Sequence, residues 1–349
     1  MTATLAPPRE PGSPASASSR RLAERVFRVR EFGIVAVLIV FVAITAAIQP
    51  RFLSITNIQF VLVDATIFAL LALGETIVVI SRNVDLSVGS VLGISAFLTA
   101  QLASQAHGLP LPLVFLAGLG IGLGFGAING LLVSLGRVPS LVVTLATLYI
   151  IRGLDVLIVG GSQVVPSSYY PSFLTISKAT VGGIPDLAIV VAVVIAVGAY
   201  CLRSFRSGRE LYAIGSNPDA ARLAGIPMGR RIFTAFALSG AIAGVAGVLW
   251  ASRYGTVDST AGTSYELQVI AAVVVGGVAI FGGSGSVVGA AIGALLLQTI
   301  NSALYVLGVS PDWDQAIAGF LLLVAIVLDR FISLRLTVSL RRRSARRGQ

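Results

Sequence analysis

The chain has 349 residues, of which 56% are hydrophobic and only 11% are charged, and its mean hydropathy is +0.92. Because a soluble domain carries roughly 25% charged residues, this composition excludes a water-soluble globular protein and predicts an integral membrane protein. The net charge of +10 does not indicate nucleic-acid binding, since the basic residues lie in short polar segments between long apolar runs.

Ten apolar segments predict membrane-spanning helices, each of which needs about 20 residues to cross the hydrocarbon core. In chain order they are residues 32–48, 58–80, 87–106, 111–135, 138–160, 185–202, 231–252, 265–281, 286–308 and 314–334. They predict an all-α fold, a polytopic bundle of about ten transmembrane helices within residues 32–334. The fifth segment contains Arg152 and Asp155, and the eighth runs into two Gly-Gly pairs.

The polar ends of the chain are expected to be tails. A cleaved signal peptide has a short charged start, an apolar core of about 7–15 residues and a small-residue cleavage site. Here a stretch rich in Pro, Ser, Ala and Arg precedes a longer apolar run. We therefore expect residues 1–31 to be a disordered, basic cytoplasmic tail followed by a retained helix. Residues 335–349 predict a second basic cytoplasmic tail.

The arginines predict the orientation, because Lys and Arg near the ends of spans stay on the cytoplasmic side. With ten spans and the N-terminus inside, 21 of the 25 basic residues lie on the cytoplasmic side. Arg51, Lys178 and Arg253 then lie outside, and Arg152 lies within a span. Both termini are therefore expected in the cytoplasm, together with the longest internal polar segment, residues 203–231.

Glycines recur every four residues in several of the predicted spans. The stripes are Gly118, Gly122, Gly126 and Gly130, then Gly285, Gly289 and Gly293, with the shorter pairs Gly240/Gly244 and Gly89/Gly93. This spacing puts the glycines on one side of a helix, where a neighbouring backbone can approach closely. We interpret the stripes as helix packing; lining of a transport pathway is the alternative.

Within the polar segment 203–231, residues 217–225 predict one short helix. Asn217 is a suitable N-cap, and Pro218 suits the first helical position. Asp219 complements the positive end of the helix, and Gly225 provides a left-handed stop. Leu223 and Ile226 remain to be buried, so the helix is expected to dock against a partner. A plain surface loop is the alternative.

Polar residues at membrane depth are costly, and each is a functional candidate. Candidates for the translocation pathway or its gating are Asp85, Ser87, Asn129, Thr144, Thr147 and Glu266. The Asp85 carboxylate can accept backbone N–H groups of the next helix or pair with Arg82. Asn129 and the threonines can contact a sugar or, equally, hydrogen-bond to neighbouring helices.

Other charged residues carry less specific predictions. Arg152 and Asp155 lie three residues apart on one helix face, which favours an internal ion pair. Glu266 and Tyr265 mark the outer end of the eighth span, where aromatic residues are common. Asp64 and Glu75 are isolated carboxylates for which the sequence predicts no role.

No catalytic, metal or cofactor site is predicted. A P-loop needs a Gly-rich turn followed by Lys and Ser/Thr, and Lys178, the single lysine, has no such turn before it. One cysteine, Cys201, and one histidine, His107, do not make a zinc site. ATP hydrolysis is therefore expected on a partner subunit and not on this chain.

Several motifs resemble those of one family of bacterial ATP-binding-cassette (ABC) importer permeases. Asp219-Ala220-Ala221-x-x-x-Gly225 is similar to the Glu-Ala-Ala-x-x-x-Gly loop of such permeases, with Asp in place of Glu. Asn83-Val84-Asp85-Leu86-Ser87-Val88-Gly89-Ser90 resembles the signature of the ribose/xylose/galactose type. Similar stretches follow at Asn129-Gly130, 137–139, 143–147, 265–267 and 282–286, so the resemblance covers about residues 50–330.

The resemblance implies a permease subunit that moves a monosaccharide, or a similar small polyol or furanosyl ligand, across the bacterial inner membrane. It implies docking to an ATPase subunit through Asn217, Asp219, Ala220, Ala221, Leu223 and Gly225. The implied partners are that ATPase, with two units fused in one chain, a periplasmic or lipid-anchored sugar-binding protein, and a second permease copy or a paralogue. Arg82-Asn83, where most members have Gly-Gly, resembles the branch for rhamnose and autoinducer-2.

Two other classes of protein are weaker fits. An ion-coupled secondary transporter needs titratable residues at mid-membrane, whereas the acidic residues here lie mostly near the ends of spans. A membrane-embedded enzyme needs a nucleophile–base pair or a metal set, and the sequence predicts neither.

Overall fold

A computed structural model describes residues 15–106, 108–310 and 312–327, with side chains described from residue 32 onward. Its helices are α1 Ala15–Ile48, α2 Ile55–Val79, α3 Val88–Gln105, α4 Leu111–Ser134, α5 Ser140–Val159, α6 Pro171–Thr175, α7 Asp186–Ser204, α8 Arg206–Ser216, α9 Pro218–Leu223, α10 Met228–Tyr254, α11 Tyr265–Val275, α12 Val287–Val306 and α13 Trp313–Val327. Two 3-10 turns, Pro50–Leu53 and Pro166–Ser168, and an antiparallel hairpin, β1 Thr180–Val181 and β2 Ile184–Pro185, complete it.

The predicted polytopic helical bundle is confirmed in its main feature. Seven helices of the described chain are long and apolar enough to cross a membrane: α2, α3, α4, α5, α7, α10 and α12. The apolar part of α1 (Phe32–Ile48), α11 and α13 are shorter. Each predicted span overlaps one of these helices. α1 begins at Ala15, within the predicted N-terminal tail, whereas residues 1–14, 328–334 and the predicted tail 335–349 lie outside the described residues.

The eighth predicted span, 265–281, is wrong as a continuous helix. α11 ends at Val275, and the chain is irregular from there to Ser286. The reason lies in the glycine pairs: Gly277 and Gly282 adopt φ values of +87° and +80°, which break the helix. α11 is therefore about half the length of a span and ends inside the bundle.

α2 is the central helix of the bundle. The most apolar stretch of α2 is 89% buried, compared with 22% for α4, 28% for α5 and 22% for α7. α2 packs against α7, α10, α11 and α12, while α4 and α5 lie on the other side of α3 and α10. Because apolar side chains lie on every side of α2, with Asp64 and Glu75 as its acidic exceptions, the helix suits a position with protein around it.

The glycine stripes pack helices together, as predicted. A Cβ atom on Gly122 of α4 would overlap the carbonyl oxygen of Gly240 in α10, and one on Gly244 would overlap that of Gly118. The stripe of α12 meets the C-terminal end of α11 in the same way. These contacts allow the close backbone approach that small residues provide between membrane helices.

Residues 161–184, for which the sequence predicted no helix or strand, cover one end of the bundle. Phe173 of α6 is fully buried, and its carbonyl oxygen accepts a hydrogen bond from Ser252 Oγ at 2.7 Å. The backbone of Val164 pairs with that of Val257, and Gly183 of the hairpin accepts a bond from Gln59 at the start of α2 (2.9 Å).

Candidate functional site

Two almost completely buried acidic residues meet where α2 leads into α3: Glu75 near the end of α2 and Asp85 in the break that follows it. The backbone N–H of Asp85 donates to Glu75 Oε1 (3.1 Å), and Asp85 Oδ1 accepts from the Ser87 N–H (3.0 Å) and Ser87 Oγ (2.6 Å). Of the two partners expected for the Asp85 carboxylate, the structure shows the backbone at the start of the next helix, where the Ser87 N–H donates to it. Arg82 is exposed and makes no ion pair with Asp85 in the described structure.

Two further helices join this network. Asn129 of α4 donates from Nδ2 to Ser87 Oγ (2.8 Å), and Ser239 of α10 lies 3.4 Å from Asp85 Oδ2. Glu75 Oε2 and Asn129 Oδ1 find no partner among the described residues. The network ties α2, α3, α4 and α10 at one depth, and its side chains are almost completely buried.

The two threonines of α5 differ in position. Thr144 Oγ1 donates to Ser140 O (2.9 Å) and lies 3.3 Å from Val84 O, so it joins α5 to the break. Thr147 bonds only within its own helix, to Thr144 O (3.2 Å), in the part of the chain that is described. The structure therefore brings Thr144 to the Asp85 network and leaves Thr147 one turn away.

Glu266 lies on the other side of α3. A Cβ on Gly89 would come within 2.5 Å of Glu266 Oε2, so the first turns of α3 and α11 meet. Arg152 lies beside Gly93, one turn along α3, and donates to Ala261 O (2.6 Å). Its predicted ion pair with Asp155 is present at 4.0 Å, the limit for such a contact.

The segment predicted to couple to a partner forms the expected helix. Asn217 Oδ1 accepts a hydrogen bond from Ala220 N (3.1 Å), and Gly225 stops α9 with a φ of +73°. Ala221 is buried, whereas the side chain of Leu223 is 90% exposed. Asp219 lies in the first turn, at the positive end of the helix.

A second helix in this segment, α8, was missed by the sequence analysis. Glu210 of α8 accepts from Arg206 (2.7 Å) and from Arg231 at the start of α10 (2.5 Å). The hydrogen bonds from Arg231 and Arg206 hold the pKa of the Glu210 carboxyl below its usual range. The signal was the spacing of Leu211 and Ile214, both buried, between charged positions.

α8 contacts two breaks in the membrane helices: the one between α2 and α3, and the irregular segment between α11 and α12. A Cβ on Gly215 would overlap the carbonyl oxygen of Ile80, which follows α2. Tyr212 OH donates to Gly285 O (3.0 Å), which precedes α12. Gly283 N also donates to Ile80 O (2.9 Å), so α8 and the two breaks form one contact region.

Asp64 and Glu75, which the sequence left without roles, both have partners. Glu75 accepts from Asp85 as described above, and Asp64 receives two bonds from Arg253 (2.7 and 3.1 Å). Within the described residues, no three acidic, cysteine or histidine side chains come together in a way that holds a metal ion.

Known proteins resemble most of the chain. Residues 57–326 match the family described as the permease component of branched-chain amino acid transport systems. The autoinducer 2 import system permease protein LsrC of Enterobacter sp. is 35% identical over 302 residues, 86% of each chain. The ribose import permease protein RbsC of Haemophilus influenzae is 36% identical over 297 residues, 84% of this chain and 91% of the relative. RbsC of Escherichia coli K12 is 32% identical over 316 residues, which are 89% of this chain and 97% of the relative. No solved structure matches the chain.

Proposed function

The chain belongs to the transport permease family matched by residues 57–326, and we propose that its cargo is a small sugar, carried as part of an ATP-binding-cassette importer. It is an inner-membrane permease and no enzyme by itself, because the ATPase of such importers is a separate subunit. The similarity to ribose and autoinducer 2 import permeases supports a monosaccharide or a similar small polyol or furanosyl ligand.

The observation that carries the docking part of this proposal is α9, a helix capped by Asn217 and stopped by Gly225 that lies outside every candidate span. Its Leu223 is 90% exposed and is available to a partner. The partner we propose there is the ATPase, which binds α9 through the surface of Asn217, Asp219, Ala220, Ala221, Leu223 and Gly225.

The wider assembly follows from the family. An ATPase subunit and a substrate-binding protein are the partners of such permeases. We further propose that the two ATPase units are fused in one chain, that the binding protein is periplasmic or lipid-anchored, and that two permease copies or paralogues enclose the pathway. The arginine distribution supports ten spans with both termini in the cytoplasm.

The mechanism we propose runs from α9 to the helix breaks through α8. Movement of α9 with the ATPase would move Gly215 against Ile80 and Tyr212 against Gly285. The break after Ile80 leads directly into the Asp85 network, which joins four helices. Such a shift of packed helices is one known route to alternating access.

The experiment compares Leu223→Ser with Leu53→Ser, a leucine that is 52% exposed and lies on the other side of the membrane in the proposed topology. Both variants should insert normally. Only Leu223→Ser should lose co-purification of the ATPase and sugar uptake, because losing one buried leucine contact of roughly 1.5–3 kcal/mol weakens docking about 10- to 150-fold. Equal uptake by both variants would contradict docking through α9.

A further inference from the structure

A cavity of about 280 Å³ lies at the end of the bundle opposite α9. It is open on one side and is lined by the start of α2, the ends of α10 and α12, and the starts of α11 and α13. None of the predicted pathway or coupling residues lines it. The cavity is therefore a separate place in the fold from the Asp85 network and from the coupling segment.

The size of the cavity limits its occupant. Pockets for drug-sized ligands are roughly 300–1,000 Å³, whereas a single water needs only about 10–15 Å³. A volume of about 280 Å³ suits a molecule smaller than a drug and much larger than water. Gln268 and Gln298 form a buried floor, whereas Tyr305 at the mouth is 80% exposed.

Two amide side chains on α12 offer unused hydrogen-bonding atoms to the cavity. Gln298 Nε2, a donor, and Asn301 Oδ1, an acceptor, have no hydrogen-bond partner among the residues that the structure describes. They are three residues apart, so they lie on one face of the helix. Gln298 is only 6% exposed, so bulk water does not satisfy its amide. A hydroxyl group donates and accepts at once, and it matches this pair.

The charges of the lining disfavour an anion. Arg253 is the cation there, and both of its bonds go to Asp64, at 2.7 and 3.1 Å. Its guanidinium also lies 4.8 Å from the centre of the Phe60 ring. Asp314 adds a second carboxylate, which accepts a bond from Gln268 (2.5 Å). A phosphate or the carboxylate of an amino acid therefore has no free positive partner, whereas hydroxyl donors have carboxylate acceptors.

Aromatic rings supply the apolar part of the cavity wall. The rings of Phe68 and Tyr265 pack at an angle of 39° with their centres 4.5 Å apart, and Trp250 Nε1 donates a 3.1 Å hydrogen bond to the Tyr265 hydroxyl. Rigid aromatic faces beside convergent polar groups are the usual composition of a small-molecule site.

From these contacts we propose that the cavity binds a small, uncharged, polyhydroxylated molecule the size of one monosaccharide, within a single permease chain. This inference rests on the proposed function, since the molecule it assigns to the cavity is the imported sugar. Gln298 and Asn301 bind hydroxyl groups of the sugar, and the carboxylates of Asp64 and Asp314 orient it.

The test is saturation-transfer NMR on the full chain in phosphatidylcholine nanodiscs, because that lipid has no polyol headgroup. D-ribose, L-rhamnose and L-leucine are the probes. We expect transfer to at least one sugar and none to leucine. Gln298→Leu combined with Asn301→Leu should weaken sugar binding about tenfold, the effect of losing two modest hydrogen bonds. Gln315→Leu, an exposed glutamine outside the cavity, should leave it unchanged.

A second variant avoids the core of the protein. In a Cys201→Ala background, Tyr305→Cys labelled with a bulky maleimide should block the mouth and abolish binding. The same label at Lys178→Cys, an exposed position outside the candidate spans and away from the cavity lining, should not. Sugar binding that survives the label at position 305, or leucine binding in place of sugar, overturns the inference.

Uptake by the complete transporter separates this inference from the proposed function. If the wild-type assembly imports sugar and both cavity variants bind and import as well as it does, the cavity assignment fails alone. If the wild-type assembly imports no sugar, the proposed function fails.

Discussion

Gly215 of α8 lies so close to Ile80 that a side chain at position 215 would overlap the Ile80 carbonyl oxygen. The same oxygen accepts a hydrogen bond from Gly283 N (2.9 Å). One carbonyl group therefore holds together the helix before the coupling helix and both breaks in the membrane helices. The geometry leaves no room for even a methyl group between them.

Gly215→Ala should displace α8 from the breaks. Overpacking of a tight contact costs about 1–3 kcal/mol, and here the obstacle is rigid backbone. We expect a lower melting temperature and a loss of ATPase stimulation by the binding protein, measured on the purified transporter. Gly229→Ala is the matched control, because the nearest atom to its added Cβ is Ser134 O at 3.8 Å. If the two variants behave alike, the contact does not transmit motion.

Asp85→Ala should destabilise the break between α2 and α3. It removes the acceptor of two hydrogen bonds from Ser87 and leaves those donors buried, at a cost of about 2 kcal/mol or more. Asp258 makes the same pair of bonds to Thr260, at 2.8 and 2.6 Å, but in an exposed loop. Asp258→Ala should therefore cost less than about 1 kcal/mol by unfolding in detergent. A larger effect at Asp258 would show that burial is not the cause.

Acid should weaken the contact between α8 and α10. Since the arginines lower the pKa of Glu210 below 4.5, its stabilising contribution is complete above that value and is lost as the pH falls through the lowered pKa. Wild type should melt higher than Glu210→Gln at pH 7, and this gap should narrow below about pH 4.5. The measurement is the melting temperature of both proteins against pH. A gap that stays constant down to pH 3 would contradict the assignment.

Cysteine labelling tests the proposed orientation. In a Cys201→Ala background, an exposed cysteine replacing Arg222 should react only from the cytoplasmic side. One replacing Lys178 should react only from the outside. An impermeant maleimide applied to right-side-out and inverted vesicles measures both. Reaction of both positions from the same side rules out the ten-span arrangement.

The sequence predicted the helices well and one helix end badly. Hydropathy locates an apolar helix because lipid demands a continuous apolar run, and all ten predicted segments overlap such a helix. The same signal continues past Val275 into Ala279 and Ile280, so it did not reveal where α11 stops. Only the positive φ angles of the glycines show that end. α8 was missed because it is short and lies between charged residues.

The sequence identified which polar residues belong to the candidate site, but it did not reveal most of the contacts between them. The hydrogen bond from the Ser87 N–H to Asp85 is local, so the sequence offered it as one of two alternatives, the other being an ion pair with Arg82. The pair of Asp64 and Arg253 joins residues 189 positions apart, which no local pattern reveals. Glu75 is only ten residues from Asp85, but their contact requires the chain to turn back after α2. If the chain had passed directly from α2 into α3 without this turn, Glu75 and Asp85 would not be in contact.

The central position of α2 has a consequence for biosynthesis. The helices that surround it, α7, α10, α11 and α12, all follow it in the chain. A nascent chain therefore inserts α2 into lipid before its permanent neighbours have been translated. During that time the buried carboxyl group of Glu75 is the part of α2 that is least favourable in lipid. Its partner, the N–H of Asp85, leaves the ribosome only ten residues later. The polar contact can thus form at once, while the apolar faces of α2 exchange lipid for protein only when the second half of the chain arrives.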